Sequence, residues 1–454
     1  MLIIVAAISL LIMMIMVARP KVGFLILWPV LFCYPQGTWY RLSPLPWNIG
    51  FDDLLILLVA ALLLVRMLFH QRTPRLTLPV GIALAYVFLV VLSNVIGLSW
   101  HHLLYAVPIR TVVREALKSM VFAVLAFCAV EGIDDERDLR RVVHAITLGL
   151  FLAAGTVVIS KFSPAFAQVF GSPTKVVHYG AESFRAAGAL AEPNTVGRVM
   201  SMGMAAVFIE LVWSRRWTSK IFLLGGALLM VIAVLLARSR VGAVGLLIVI
   251  PTVMFLRGMR RWAFTVIALI ILLAFLAPTL LEPIEERLVG SLNPMTGEFS
   301  GRVGSRFEIW MRHLRNLDLP TLLLGQGQTV AQWRARGARP HSGYVDLLCY
   351  YGFPGVVWGL VVAYSFIRRI RVLRRRVDWP MMRIFGGGII IYLVMVAWAA
   401  LTGDIFSPGS FELLLLATFL PLVYRADQLV RQKTAPQPVQ GNLHPYAGAY
   451  ASRV

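Results

Sequence analysis

Charged side chains are scarce in this chain of 454 residues, and acids are scarcer than bases. Asp, Glu, Lys and Arg make up 14% of the residues, 22 acids stand against 43 Lys and Arg, and 59% of the residues are apolar. This composition excludes an ordinary soluble domain, in which about 25% of residues are charged. Because the apolar residues form long runs rather than the alternation of a β-barrel, the sequence predicts an all-α polytopic membrane protein.

Cysteine is also rare, and the familiar metal motifs are missing. Cys33, Cys128 and Cys349 lie in apolar runs without a nearby Cys or His partner, so they suggest neither a disulfide framework nor a metal site. No HExxH or paired-acid motif occurs on the predicted outer face, and we expect no metal and no other cofactor. The net charge of +21 falls mostly in short loops, where it marks the cytoplasmic side, so we expect no nucleic-acid binding.

The apolar runs predict about 12 or 13 transmembrane helices, at roughly 20 residues for each span. They begin near residues 1, 22, 54, 78, 119, 142, 194, 221, 241, 262, 344, 384 and 412. Basic clusters after alternate runs place the first residue outside the cell membrane and the arginine-rich loops in the cytoplasm. The predicted divisions are an N-terminal bundle (1–281), a large periplasmic loop (282–343), C-terminal helices (344–424) and a cytoplasmic, disordered tail (425–454).

Polar connectors lie on the outer face in this topology, at residues 35–50, 100–118, 161–192 and 282–343. In the connector at 100–118, Arg110 and Arg114 are one helical turn apart, which predicts an amphipathic helix along the membrane interface. In the last connector, Arg302, Arg306 and His313 share one helical face and predict an amphipathic helix on the outer leaflet. The large loop is therefore expected to contain amphipathic helices.

Arginines on the outer face break the usual rule that basic residues stay in the cytoplasm. They are Arg185, Arg240, Arg302, Arg306, Arg334, Arg336 and Arg339. Guanidinium groups stay charged and bind phosphate oxygens bidentately, so the set predicts a site for a diphosphate-linked lipid. Contact with lipid head groups is the alternative for any single arginine. The turn Gly325-Gln326-Gly327 is a weaker candidate for holding an anion through its backbone N–H groups.

His341 is the candidate catalytic residue, because it stands where the outer loop re-enters the membrane. Imidazole titrates near neutrality and can take a proton from an attacking hydroxyl. Helix capping and phosphate binding are its alternative roles. The acids Glu192 and Asp404 at span ends are candidates to orient His341 or to act as the base, with a helix N-terminal acid or a local salt bridge as the alternative. Tyr344 and Arg339 are candidate supporting residues.

The chain from Arg185 to Gly355 resembles the O-antigen ligase and polymerase superfamily, which includes exopolysaccharide repeat-unit polymerases. The resemblance rests on Arg185-Ala186-Ala187-Gly188, Glu192-Pro193-Asn194, Ser239-Arg240, Gly301-Arg302, Trp310, Gly325-Gln326-Gly327, His341-Ser342-Gly343-Tyr344, Gly352 and Gly355. It implies a GT-C-like, inverting, metal-independent glycosyltransferase. Such an enzyme moves a glycan from undecaprenyl diphosphate to an acceptor hydroxyl at the periplasmic face of the bacterial inner membrane.

The same resemblance implies roles for particular residues and partners. The implied catalytic residue is His341, and the implied diphosphate ligands are Arg185, Arg240, Arg302 and Arg306. The expected partners are the undecaprenyl-diphosphate-linked donor, a lipid-linked glycan or lipid A core as acceptor, membrane lipids, a flippase and a chain-length regulator.

Three functions remain open from the sequence. A repeat-unit polymerase is favoured, because the segment up to Phe69 looks similar to exopolysaccharide polymerases. Ligation of O-antigen to lipid A core is the alternative with the same donor. A transporter or flippase of lipid-linked glycan is the alternative from another class, although few ionisable residues within the spans and no matching halves argue against it.

Overall fold

The structure is a computed structural model that describes residues 11, 14–33, 51–103, 107–170, 174–178, 181–256, 260–276, 302–335, 337, 339–375 and 379–434. The helices in chain order are α1 (Pro20–Cys33), α2 (Phe51–Phe69), α3 (Leu78–Trp100), α4 (Ile109–Glu131), α5 (Glu136–Phe162), α6 (Pro164–Phe170), α7 (Pro193–Trp213), α8 (Trp217–Leu236), α9 (Arg240–Phe255), α10 (Arg260–Leu276), α11 (Arg302–Arg315), α12 (Leu319–Leu324), α13 (Gln328–Arg334), α14 (Gly343–Arg375), α15 (Pro380–Thr402) and α16 (Phe411–Thr434). Strands β1 (Thr174–His178) and β2 (Ala181–Arg185) form an antiparallel hairpin, followed by a 3-10 turn at Gly188–Leu190.

The all-α polytopic fold predicted from the sequence is confirmed. Seven helices of the described ranges are long and apolar enough to cross a membrane, namely α3, α5, α7, α8, α14, α15 and α16. Each predicted apolar run after the first coincides with a helix. The first run lies largely outside the described residues, and so does the connector at 35–50.

Helix α7 is the central element of the bundle. It contacts α5, α8, α9 and α15, and 94% of its most apolar 18-residue window is buried. Gly197 allows the close approach of α9, because a Cβ there would lie 2.2 Å from the Ser239 Oγ. A charged side chain on such a helix has no water to face and must find a partner within the bundle.

The interfacial helix predicted for residues 100–118 is wrong. Arg110 and Arg114 lie in the first turns of α4, which continues unbroken into the apolar run as far as Glu131. The polar turns enter the bundle because their buried charges are paired there. The Glu115 carboxylate accepts hydrogen bonds from Asn94 (3.1 Å) and Thr329, and Lys118 forms a buried ion pair with Asp53.

The ends of two other predicted segments can also be placed. The amphipathic helix at Arg302 is present as α11, in which His313 is buried and its ring lies 6.4 Å from that of Tyr350. The last helix, α16, continues to Thr434, past the predicted boundary at Tyr424. The remainder of the predicted tail, 435–454, lies outside the described residues.

The Gly325-Gln326-Gly327 turn is a packing element, and the anion-binding role expected of it is wrong. Its backbone N–H groups are all used internally: those of Gln326 and Gly327 donate to the Tyr350 carbonyl at 3.0 and 2.8 Å, and that of Gly325 donates to Thr321 at 2.8 Å. Gly325 and Gly327 have φ angles of +81° and +73°, which only glycine adopts freely. The turn is therefore fixed against α14.

Gly97 on α3 receives this turn, and its lack of a side chain is testable. A Cβ on Gly97 would lie 2.0 Å from the Gln326 carbonyl oxygen, whereas a Cβ on Gly81 of the same helix meets nothing within 4 Å. We expect Gly97→Ala to destabilise the purified protein by about 1–3 kcal/mol through overpacking. Gly81→Ala is the matched control and should unfold at the same or a higher temperature in the same detergent. Equal midpoints for the two variants would contradict this packing.

Candidate active site

A polar cavity of about 500 Å³ lies where several helix ends meet. It is formed by the N-terminal ends of α4, α7 and α16, the C-terminal end of α15, helix α11 and the loop before α14. The charge pattern of the sequence predicts that all these ends lie on the outer face. The charged and titratable residues lining the cavity are Arg114, Glu115, Lys118, Glu192, Arg198, Arg306, Arg339, His341, Asp404 and Glu412.

His341 lies in this cavity beside Asp404. The His341 Nδ1 is 3.6 Å from the Asp404 Oδ1, and nearly half of the imidazole is exposed. The backbone of His341 has a φ of +52°, a left-handed conformation that is uncommon for a residue other than glycine. It is held on both sides, because the Trp310 indole N–H donates to the Pro340 carbonyl at 2.6 Å and the Ser342 hydroxyl donates to Ala400 at 3.4 Å. The half-exposed ring of His341 thus forms part of the cavity wall.

Several arginines that line the cavity have no acid of the described residues at ion-pair distance. Within the described ranges, no carboxylate lies within ion-pair distance of Arg114, Arg306 or Arg339. Burial lowers the pKa of the Arg306 guanidinium, and the positive Arg198 lowers it further, while Asp404 opposes the shift. A guanidinium remains protonated despite such shifts. The cavity therefore presents partly buried positive charge that an anion can neutralise.

Polar atoms without partners complete the wall. Among the described residues, the Asp404 Oδ1, the Ser407 hydroxyl and the Gln328 Oε1 are buried and make no hydrogen bond. Buried polar groups are normally satisfied, and all three residues line the cavity. Carboxylate and amide oxygens accept hydrogen bonds, so this part of the wall suits a ligand that carries hydroxyl groups.

A buried ion pair forms the floor of the cavity. The Arg198 Nε lies 2.6 Å from the Glu412 Oε1, with 8% and 2% of the two side chains exposed. Arg198 also donates to the Thr195 hydroxyl at 3.1 Å. Gly403 makes room for the guanidinium, since a Cβ there would lie 2.5 Å from its Nη1. This pair ties the start of α16 to the central helix α7.

The predicted supporting residues divide between the cavity and its surroundings. Glu192 lines the cavity and accepts a hydrogen bond from the Thr195 hydroxyl at 3.1 Å, as expected of an acid at a helix N-terminus. Arg339 lines the cavity as well. Tyr344 does not; its hydroxyl donates to the Ala397 carbonyl at 3.1 Å. A supporting role for Tyr344 stays a prediction, since its side chain is not among those that line the cavity.

The four arginines expected to bind diphosphate also separate. Arg306 lines the cavity. Arg185 reaches its edge, where its guanidinium donates to the Asn194 Oδ1 and to the Ala237 carbonyl, both at 3.0 Å. Arg240 begins α9 and is not among the residues that line the cavity. Arg302 begins α11, and its side chain lies outside the described part of the structure.

The remaining outer arginines have different surroundings. Arg334 is held within the fold, because its guanidinium donates to the Gln326 Oε1 at 2.7 Å and lies 3.0 Å from the His101 Nε2. Burial and the charge of Arg334 lower the pKa of His101. Arg336 lies outside the described residues. Of the two described arginines in this group, Arg334 and Arg339, Arg339 is the one that lines the cavity.

Sequence reasoning missed Arg114, Lys118, Arg198 and Glu412 as residues of the site. Arg198 carried a usable signal, because an arginine inside an apolar run is costly and usually faces a functional cavity. The small number of ionisable residues within the spans therefore does not argue against a transporter, because one of them, Arg198, lies in the most buried helix. No group of three or more His, Cys, Asp or Glu side chains that could hold a metal occurs among the described residues.

Comparison with known families identifies one match. Residues 225–358 match the family model described as O-antigen ligase. The matched segment runs from α8 into α14 and includes Arg306, Arg339 and His341, whereas Arg198, Asp404 and other parts of the wall lie outside it. No curated protein matches the chain.

The buried pair between Arg198 and Glu412 predicts strongly non-additive effects on stability. Removing one partner leaves an uncompensated buried charge, and we expect Arg198→Met or Glu412→Gln alone to cost about 3–5 kcal/mol. The double variant should be more stable than either single variant, because neither charge is stranded. Unfolding of the three variants in detergent measures this coupling, and additive losses would show that the pair is not formed.

Proposed function

With residues 225–358 matching the O-antigen ligase family, we propose that this protein is a membrane glycosyltransferase acting on undecaprenyl-diphosphate-linked glycan. It transfers the glycan to an acceptor sugar hydroxyl at the periplasmic face of the bacterial inner membrane, with inversion and without a metal. The observation that carries the proposal is one cavity that brings His341 and Asp404 together with Arg306 and Arg339.

The chemistry follows from the positions of these groups. The acceptor oxygen forms a bond to the anomeric carbon while the bond from that carbon to the diphosphate oxygen breaks. His341 takes the hydroxyl proton at Nε2, and Asp404, 3.6 Å from Nδ1, orients the ring and stabilises the imidazolium. The diphosphate is already a good leaving group, so the protein's main tasks are to position the reactants and to neutralise the departing charge.

Arginine side chains supply that neutralisation in the proposal. Arg306 and Arg339 line the cavity near His341 and have no carboxylate partner among the described residues, so their charge is available to the diphosphate. Arg114 extends the positive wall on the side of α4. The buried Arg198 adds to the positive electrostatic potential, but its guanidinium is paired with the Glu412 carboxylate. Arg185, Arg240 and Arg302 remain predictions from the family resemblance.

Repeat-unit polymerisation is the proposed form of the reaction, and ligation to lipid A core is its alternative. Both reactions use the same donor and the same leaving group, so the cavity serves either. They differ in the acceptor, which is a second lipid-linked repeat for the polymerase and a core sugar for the ligase. Supplying purified protein with each acceptor in turn distinguishes them by the product.

A transporter of lipid-linked glycan would also use outer arginines. The scarcity of charged residues within the spans does not exclude it, because Arg198 is a buried charged residue within a span. Our proposal instead rests on the pairing of an imidazole with a carboxylate, which transport does not need. Glycan transfer by purified protein in detergent separates the two, since no second compartment exists there.

His341 can be tested against a histidine in the same backbone conformation. His341 and His102 have φ angles of +52° and +51°, and asparagine tolerates this conformation. We expect His341→Asn to lower the rate of glycan transfer by a factor of about 10² or more, because the hydroxyl then lacks its base. His102→Asn lies outside the cavity and should retain the activity of the unchanged protein.

The same assay can contradict the assignment of His341 as the base. Both variants must accumulate in the membrane as the unchanged protein does, so that a loss reports chemistry rather than folding. Transfer by His341→Asn at the unchanged rate would remove His341 from the reaction. Transfer should also survive EDTA, and activity that a divalent ion alone restores would show a metal enzyme.

Arg306 has its matched control on the same helix. Arg306 lines the cavity, whereas Arg312 of α11 is exposed and does not. We expect Arg306→Gln to reduce kcat/KM for the lipid-linked donor by about tenfold to a hundredfold, the usual worth of a hydrogen bond to a charged group. Arg312→Gln removes the same charge and should leave kcat/KM nearly unchanged. Equal losses in the two variants would indicate a general effect of charge on membrane association.

A further inference from the structure

A second cavity lies at the other ends of the helices, on the face that the charge pattern places in the cytoplasm. It has a volume of about 790 Å³ and lies between α1, α5, α7 and α8. The proposed transfer reaction makes no use of it, because His341 and its surroundings lie at the opposite ends of α5 and α7.

One end of this cavity holds a buried acid with an unused oxygen. Glu210 of α7 is 7% exposed and lines the cavity. Its Oε2 lies 3.2 Å from the His144 Nδ1, whereas its Oε1 is buried and makes no hydrogen bond with any described residue. A buried carboxylate oxygen needs a donor, and a cationic donor satisfies it best.

Two arginines line the same cavity as this acid. The Arg140 guanidinium lies 5.6 Å from the centre of the Trp213 ring and 3.1 Å from the Glu136 carboxylate. The Arg141 guanidinium lies 3.3 Å from the Asp138 carboxylate, with 61% of the side chain exposed. Each of these guanidiniums has further N–H groups to donate. The walls of the cavity therefore offer both a carboxylate oxygen and cationic donors.

Much of the remaining wall is apolar, although Ser214, Thr218 and Ser219 also line the cavity. The apolar part is formed by Leu25, Ile26, Leu148, Phe222 and Leu223, and Phe222 is largely exposed. A ligand that fills the cavity must therefore be an amphiphile, with hydrocarbon along α1 and α8 and a polar head at Glu210. Its head group must combine a donor cation with an anion.

We infer that this cavity binds a phospholipid whose head group carries a primary amine, such as phosphatidylethanolamine. The ammonium donates to the Glu210 Oε1, the phosphate accepts from Arg140 or Arg141, and an acyl chain lies against the apolar wall. A choline head group carries the same charges without an N–H to donate, and a glycerol head group has donors without the positive charge. The site should therefore prefer the ethanolamine lipid to both.

Native mass spectrometry of the full chain tests this preference. The protein, purified and delipidated in detergent, is mixed with phosphatidylethanolamine, phosphatidylcholine or phosphatidylglycerol of identical acyl chains. We expect the ethanolamine lipid to bind about tenfold more tightly than either of the others, as a charge-assisted hydrogen bond predicts. Equal binding, or a preference for the choline or glycerol lipid, would overturn the inference.

Variants assign the preference to this cavity. Glu210→Gln should bring the ethanolamine and choline lipids to equal binding, whereas Glu131→Gln, on the same predicted face but outside the cavity, should keep the difference. Should Glu210→Gln fail to fold, Leu148→Trp fills the apolar part and should weaken binding of all three lipids. A preference that survives either cavity variant would place the lipid elsewhere and contradict the inference.

Discussion

The buried ion pair between Arg198 and Glu412 is the interaction on which the arrangement of the outer cavity depends. It places a guanidinium in the most buried helix of the bundle and ties that helix to the start of α16. The loop carrying Asp404 runs between α15 and α16, so the pair also fixes the position of the acid beside His341. Ion pairs this deep are expensive to form and more expensive to break, which is a reason to regard Arg198 as part of a site rather than of the general scaffold.

Much of the architecture can be predicted from the sequence, because long apolar runs indicate membrane helices. The run that becomes α7 and the helix at Arg302 were both predicted, and both are present. The interfacial segment at Arg110 was not, because its helix continues inward on charges paired with distant residues such as Asp53. The glycines of the turn at Gly325 suggest an anion-binding loop, but its backbone N–H groups donate hydrogen bonds to α12 and α14. Ion pairs and hydrogen bonds between distant segments determine where such polar segments lie, and a local sequence pattern does not reveal these partners.

The candidate site was predictable where a residue type was out of place and unpredictable where distant segments meet. His341 and Arg306 were identified as unusual residues of the outer loop, and both line the cavity. Glu412 begins a helix more than two hundred residues from Arg198, a partner that the sequence does not indicate. Arg240 begins α9 after a span and is not among the residues that line this cavity, so its expected contact with diphosphate stays a prediction from the sequence. Charge placement thus singled out two residues, His341 and Arg306, that the fold brings into one cavity.

We propose that the arginines around His341 hold the diphosphate of a lipid-linked donor. The decisive experiment is a structure determined with undecaprenyl diphosphate bound. We expect diphosphate oxygens within hydrogen-bond distance of the Arg306 or Arg339 guanidinium, on the side of the cavity that holds the imidazole. Diphosphate bound outside this cavity, for example against Arg240 at the start of α9, would contradict it.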